Sequence, residues 1–257
     1  MRTVLGLLAL ATVLYAAACA ALFFLQRSLI YFPQPASVAA PVGVATLKLP
    51  VAGGDVLVSF RAHASAGAGA LLYFGGNAEN VSFSLPELAQ AFPDRALYLL
   101  HYRGYGGSAG SPSEAALLED ARALFAHAQA RHGDVAVMGR SLGTGIAVRL
   151  AAERAVSRLV LVTPYDSLQS LAAQQFPLFP VRWLLQDKFE TDLHAPRIAV
   201  PTLILAAEHD EVIPRASTER LHRRFAAGVA TLTVVPRVGH NTISESPEYA
   251  RALQAVR

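Results

Sequence analysis

The segment Gly139-Arg140-Ser141-Leu142-Gly143 constrains this chain more than any other. It follows the apolar run Val135-Ala136-Val137-Met138 and precedes Ile146-Ala147-Val148-Arg149-Leu150, which reads as helix. A strand that turns abruptly into a helix, with Ser at the apex, holds that Ser in a strained backbone conformation and pushes its hydroxyl out of the sheet. Side chains two residues before and after would collide in such a turn, so both places need Gly. The plain alternative is a structural Gly-Ser turn, and the remainder of the sequence decides between the two.

A Ser hydroxyl is a poor nucleophile at neutral pH. It needs a base to take its proton, an acid to orient that base, and donors for the developing oxyanion. Both partner types occur after Ser141, each just past an apolar run. Here the apolar run 201–206 leads into Ala207-Glu208-His209-Asp210-Glu211, and the run 231–235 leads into Pro236-Arg237-Val238-Gly239-His240-Asn241. His240 is the expected base, since it follows a Gly and precedes no apolar run. His101, at another strand end, is its rival, while His63, His127, His132, His194, His209 and His222 fall in polar or loop surroundings or flank the acid. Asp210 is the expected acid, a few residues beyond its strand where a loop can aim it. Glu208 lies closer to the strand, Glu211 points the other way in an extended loop, and Asp166 offers a different geometry after the run 158–163. The acids that lose this competition are expected to be solvated loop charges.

Two backbone N–H groups should face the oxyanion. One belongs to Leu142, directly after the nucleophile at a helix start. The other belongs to Asn77, or failing that Gly76, in the loop Gly75-Gly76-Asn77-Ala78-Glu79-Asn80 behind the strand at 70–74. Gly75 and Gly76 would let a substrate approach the backbone closely. Tyr165 is expected to border the substrate.

Apolar runs near 46–49, 56–60, 70–74, 97–101, 135–138, 158–163, 201–206 and 231–235 read as eight strands. Helical patterns fall near 82–91, 113–131, 142–153, 215–226 and 247–256, with Ser113 before Glu114 as a helix start. Strands alternating with helices predict an α/β fold with a mostly parallel sheet and helices on both faces. The first strands lack a helix between them, and the small-residue loop 64–69 predicts an antiparallel edge joined by turns. Residues 167–196 interrupt the rhythm and predict a small lid over Ser141. Its Phe176-Pro177-Leu178-Phe179-Pro180 and Trp183-Leu184-Leu185 either line an acyl pocket or pack the lid on the body.

Residues 4–25 carry no charge. At about 1.5 Å per residue they make a helix of roughly 33 Å, enough to span a bilayer core. The flanks are Arg2 and Arg27, which predicts residues 1–27 as an N-terminal membrane anchor and 28–257 as the functional domain. The rival is a cleaved signal with small residues, and a lipidation candidate, at Ala16-Ala17-Ala18-Cys19, but the apolar run continues through Leu25. The balance of Arg2 and the terminal amine against Arg27 and Lys48 orients the domain outside the cytoplasm. Without the two flanking Arg the chain has 20 basic and 19 acidic residues, so its pI of 9.2 does not announce a nucleic-acid surface. The single Cys19 excludes an intrachain disulfide, and no metal spacing or nucleotide-binding motif appears, so no cofactor and no metal are expected. Oligomeric state leaves no mark in the sequence.

These residues resemble the α/β-hydrolase superfamily and, within it, a membrane-anchored branch of small-lidded serine hydrolases, the alpha/beta-hydrolase-domain-containing group, whose eukaryotic relatives include protein depalmitoylases. The matching stretches are Leu29-Ile30-Tyr31-Phe32-Pro33, Phe74-Gly75-Gly76-Asn77-Ala78-Glu79-Asn80, Tyr102-Arg103-Gly104-Tyr105-Gly106-Gly107-Ser108, Gly139-Arg140-Ser141-Leu142-Gly143-Thr144-Gly145, Pro164-Tyr165-Asp166-Ser167-Leu168, Asp210-Glu211-Val212-Ile213-Pro214 and Gly239-His240-Asn241. The resemblance implies cleavage of a carboxylic ester or thioester in a small-molecule or lipid-like substrate, with Ser141, His240 and Asp210 as the triad. Two rivals stand beside it. A related peptidase would need acids for the substrate amine, for which the lid offers Asp187, Glu190 and Asp192. A membrane-tethered binding protein would carry the same fold without turnover. Two positions depart from the family pattern: Gly75 stands where His is usual, and His101 where Asp is usual. The missing side chain at Gly75 predicts a loosely braced oxyanion loop.

Overall fold

In the computed structural model, which describes residues 1–35, 44–63, 65 and 67–256, every one of the eight apolar runs is a strand. They are β1 (Ala45–Val51), β2 (Gly54–Arg61), β3 (Gly69–Phe74), β4 (Arg95–Leu100), β5 (Val135–Arg140), β6 (Arg158–Val162), β7 (Thr202–Ala207) and β8 (Ala230–Val235). The sheet order is β1-β2-β4-β3-β5-β6-β7-β8, with β2 antiparallel to both of its neighbours, β1 and β4, and every other neighbouring pair parallel. The central strands are buried on both faces, which is why they read as unbroken apolar runs and not as alternation.

The two faces carry two cores. Ala70, Leu72 and Phe74 of β3 pack on one side with Leu117, Leu124 and Phe125 of α3 (Glu114–Gln129) and Ile146 of α4 (Leu142–Glu153). Leu71 and Tyr73 face the other side with Leu85 and Leu88 of α2 (Leu85–Ala91) and Tyr249 and Leu253 of α9 (Pro247–Gln254). The Ser113 hydroxyl accepts the Ala116 N–H at 3.2 Å and caps α3 where the sequence places its start.

The antiparallel edge is real, but its turn lies elsewhere than the sequence suggests. Gly53 and Gly54, at φ of 94° and 122°, close the β1–β2 hairpin. The segment after β2 does not join neighbours: β3 pairs with β4 and β5, so β4 is inserted between β2 and β3. Ala64 and Ala66 of that segment lie outside the described residues.

The N-terminal apolar stretch is one helix, α1 (Arg2–Ile30), long and apolar enough to cross a bilayer. It ends where Tyr31 turns extended ahead of Pro33. The lid holds α5 (Leu168–Gln175), α6 (Val181–Leu184) and α7 (Thr191–His194), followed by α8 (Arg215–His222) after β7. The Ser167 hydroxyl caps α5 by accepting the Ser170 N–H at 3.0 Å.

The Tyr102–Ser108 turn is anchored by charge. Arg103 donates from Nε to Asp120 Oδ2 at 2.9 Å and from Nη2 to Oδ1 at 2.8 Å, and Asp120 is fully buried in α3. Removing one partner of a buried pair leaves an uncompensated charge and costs about 3 kcal/mol or more. Arg103→Ala should lower stability to chemical denaturation by that amount, and adding Asp120→Asn should recover part of the loss.

Candidate active site

The Ser141 turn is strained, and its neighbours hold it so. Ser141 sits at φ 47° and ψ −117°, a conformation that L side chains rarely adopt. A methyl on Gly139 would come within 2.5 Å of the Gly143 carbonyl oxygen, and one on Gly143 would run into the Phe74 carbonyl. The turn keeps its backbone groups paired. Ser141 N–H donates to Val162 O at 2.9 Å, and its carbonyl accepts from Thr144 N at 2.9 Å and Thr144 Oγ1 at 2.6 Å. Leu142 is the first residue of α4, so its N–H has no acceptor within the helix and lies at the positive end of the helix dipole.

His240 and Asp210 come to this apex from the ends of β8 and β7. His240 Nε2 lies 2.9 Å from Ser141 Oγ, and His240 Nδ1 lies 3.0 Å from each carboxylate oxygen of Asp210. Asp210 Oδ1 also accepts from Val212 N at 3.0 Å and Ile213 N at 2.7 Å, so its own loop fixes the carboxylate.

Of the acids that lost the competition, Glu208 and Glu211 are exposed loop charges that also hold backbone N–H groups, while Asp166 is buried. Glu211 Oε2 accepts the backbone N–H of His240 at 3.0 Å, and that bond holds its carboxyl below the usual range. Glu208 Oε2 accepts from Arg237 N at 2.7 Å. Both pin the loop that carries His240. Asp166 is excluded as orienting acid, because it is committed to α8: Ser217 donates to Oδ1 at 2.5 Å and Arg220 to Oδ2 at 2.6 Å.

His101, the rival base, is buried among Ser59, 2.8 Å from its Nε2, and Ser82 at 3.4 Å, and it does not line the cavity above Ser141. Desolvation lowers its pKa to about 4, so it stays neutral in ordinary buffers.

The oxyanion loop is braced, contrary to the expectation from Gly75. Glu79 spans it: Oε2 accepts from Gly76 N at 2.8 Å, while Oε1 accepts from Tyr73 OH at 2.7 Å and Ser84 Oγ at 2.6 Å. Tyr102 OH donates to Gly75 O at 2.7 Å, and Tyr105 OH and Phe32 N both donate to Asn77 O. Gly76 therefore has its N–H engaged, which leaves Asn77 as the loop's candidate donor. Gly75 itself lies behind the cavity wall, where an added methyl would meet Val81 at 2.6 Å, so it does not face a substrate as the sequence reading expects. Nothing local in the sequence marks Glu79 as a brace, because its three donors come from β3, the loop itself and the turn after it.

Ser141, Leu142, Asn77 and His240 open into a cavity of about 740 Å³. Tyr165 lines it and donates to Leu142 O at 3.2 Å. The far walls come from the end of α1 and from the lid, and Glu79 is the one carboxylate among the described lining residues. Among the described residues no cluster of His, Cys, Asp and Glu is suited to a metal.

A family model described as alpha/beta hydrolase fold matches residues 69–189, and one described as serine aminopeptidase, S33 matches 181–247. An uncharacterised protein of Mycobacterium tuberculosis is 39% identical over 233 residues, covering 84% of this chain and 80% of that one. Lysophosphatidylserine lipase ABHD12 of Mus musculus is 33% identical over 184 residues, covering 60% of this chain and 46% of its own. Among solved structures, Est1E of Butyrivibrio proteoclasticus with bound ferulic acid superposes with a TM-score of 0.68 at 13% identity, covering 82% of this chain and 97% of that one, a likeness of fold alone.

Two outcomes test this geometry. Glu79→Ala should slow covalent labelling of Ser141 by a fluorophosphonate about a hundredfold, the cost of a lost oxyanion donor. His101 stays neutral when folded but ionises near 6.5 when unfolded, so its contribution is complete above that pH and is lost as pH falls toward about 4. Melting curves of His101→Gln should therefore decline less steeply than wild type across this window.

Proposed function

The chain belongs to the α/β-hydrolase superfamily, and on that premise we propose that it is a membrane-anchored serine hydrolase that cleaves a carboxylic ester or thioester through an acyl-enzyme. The observation that carries this reading is the unbroken hydrogen-bond chain from Ser141 Oγ through His240 to Asp210, opening into an apolar cavity. His240 Nε2 takes the Ser141 proton as Oγ attacks the carbonyl. Asp210 keeps Nδ1 protonated and stabilises the cationic ring. The backbone N–H groups of Leu142 and Asn77 hold the oxyanion. His240 then returns the proton to the leaving alcohol or thiol, and water repeats the sequence to release the acid.

The cavity favours an acyl substrate over a peptide amine. Asp187, Glu190 and Asp192 do not line it, and Asp187 is engaged by Arg27 at 3.0 Å and Tyr31 OH at 3.1 Å. A relative named as a lysophosphatidylserine lipase supports a lipid-like ester, although this chain spans under half of its length. Retention of α1 as an anchor is supported by its docking, since cleavage near Cys19 would strip Tyr15 from its bond to Leu178 O at 2.8 Å. Arg2 and the amino terminus would then lie on the cytoplasmic side, with the catalytic domain outside.

Full-length protein in detergent should hydrolyse p-nitrophenyl acyl esters and react with a fluorophosphonate. Ser141→Ala should abolish labelling and lower hydrolysis by about three orders of magnitude or more. Undiminished hydrolysis by clean Ser141→Ala protein would sink the assignment.

A further inference from the structure

Between Ser167 and Gln186 the only charged side chain is Arg182. The lid segment in this stretch runs alongside α1 in the same direction. Tyr15 OH donates to Leu178 O at 2.8 Å, and the Tyr15 ring stacks on Phe179 with centroids 5.8 Å apart. Gln26 donates to Leu184 O at 3.1 Å and accepts from Gln186 N at 2.7 Å. Arg27 and Tyr31 then meet Asp187. Wherever α1 sits in a bilayer, this strip sits beside it. If Arg27 is at the headgroups, the level of Tyr15 and Leu178 is about 18 Å deeper along the helix, roughly one leaflet of a core about 30 Å thick.

Its backbone is built for that setting. In hydrocarbon, polar backbone groups must be paired within the protein. Residues 177 and 180 are Pro and have no N–H. Phe176, Phe179, Val181, Trp183, Leu184 and Leu185 all donate their N–H within the lid. Two of its carbonyls, those of Leu178 and Leu184, are served by the only polar side chains that α1 aims at it, Tyr15 and Gln26. Meanwhile Leu178 and Trp183 point outward, 81% and 82% exposed, so packing of the lid on the body does not explain them. Between the strip and α1 the cavity wall passes from Leu22 and Leu29 to Phe179 and Leu184, and the space leads to Ser141.

We propose that residues 176–185 are a second membrane-inserted element, seated beside α1 in one leaflet, and that the cleft between the two admits an acyl chain sideways from the hydrocarbon layer to Ser141. The proposal rests on α1 being a retained anchor. It names the substrate as a long-chain acyl amphiphile resident in the bilayer, with Trp183 at the depth of the acyl chains.

Trp183 is the only tryptophan of the chain, so its fluorescence reports on this strip alone. Full-length protein in phosphatidylcholine vesicles should resist carbonate extraction. Its emission should be mostly lost when the lipids carry bromine along their acyl chains, and should be insensitive to iodide. Protein retained by the membrane, yet quenched by iodide and untouched by bromolipids, would overturn the insertion. Protein released by carbonate would overturn the anchor reading and the insertion with it. For delivery, Leu178→Asp places a charge at the lipid face without touching the cavity wall. It should reduce hydrolysis of a long-chain monoacyl ester in vesicles about tenfold or more, while a soluble short-chain ester is turned over nearly as in wild type. Equal effects on both esters would overturn lateral entry. Wild-type protein inactive on both would overturn the hydrolase reading and the delivery route together, with the insertion judged by quenching.

Discussion

Much of this molecule is arranged around the close approach of α4 to the end of β3. Gly143 lies so near the Phe74 carbonyl that no side chain fits between them, and Gly139 faces Gly143 under the same restriction. That contact keeps Ser141 in its strained conformation at the C-terminal end of the interior strand β5. It also brings the loop after β3 beside the start of α4, so the two candidate oxyanion donors, Asn77 and Leu142, share one cavity wall. β7 and β8 then need only lie in register beyond β6 for their loops to reach the same apex.

Around this apex, carboxylates serve as braces as much as chemical groups. Glu79 gathers donors from Gly76, Tyr73 and Ser84, and Glu211 takes the backbone N–H of His240. Each converts a flexible loop into a fixed one by accepting bonds that water would otherwise satisfy. Gly75 illustrates the consequence. No side chain braces the loop at that position, where an added one would crowd Val81 and Glu79, and the bracing bonds come from Glu79 and Tyr102 instead. His101, where the family usually has Asp, settles into a neutral pair of serine contacts in place of a charged one.

The end of α1 belongs to the site as well as to the N-terminus. Ile30 O accepts from the Asn77 side chain at 3.1 Å, and Phe32 N donates to Asn77 O, so the helix that can enter a bilayer is tied directly to the loop that lines the cavity beside Ser141.

The strands, the elbow, the helix starts and the positions of Ser141 and His240 were legible in the sequence, with Asp210 the preferred of four acids, because each depends on local pattern: apolar runs, a Gly spacing demanded by one turn, or a residue type just past a strand end. The order β2-β4-β3 was not, since pairing is chosen by the packing of whole strands and the loop at 64–69 looks the same either way. Nor were the roles of Glu79 and Glu211, or the lining of the cavity by α1, because the partners come from separate elements or loops. The sequence alone determined which chemical groups are available and at which strand ends they stand. Only the tertiary structure decided which carboxylate meets the imidazole and which merely holds a loop, because hydrogen-bond partnership depends on distances between segments that sequence spacing does not encode.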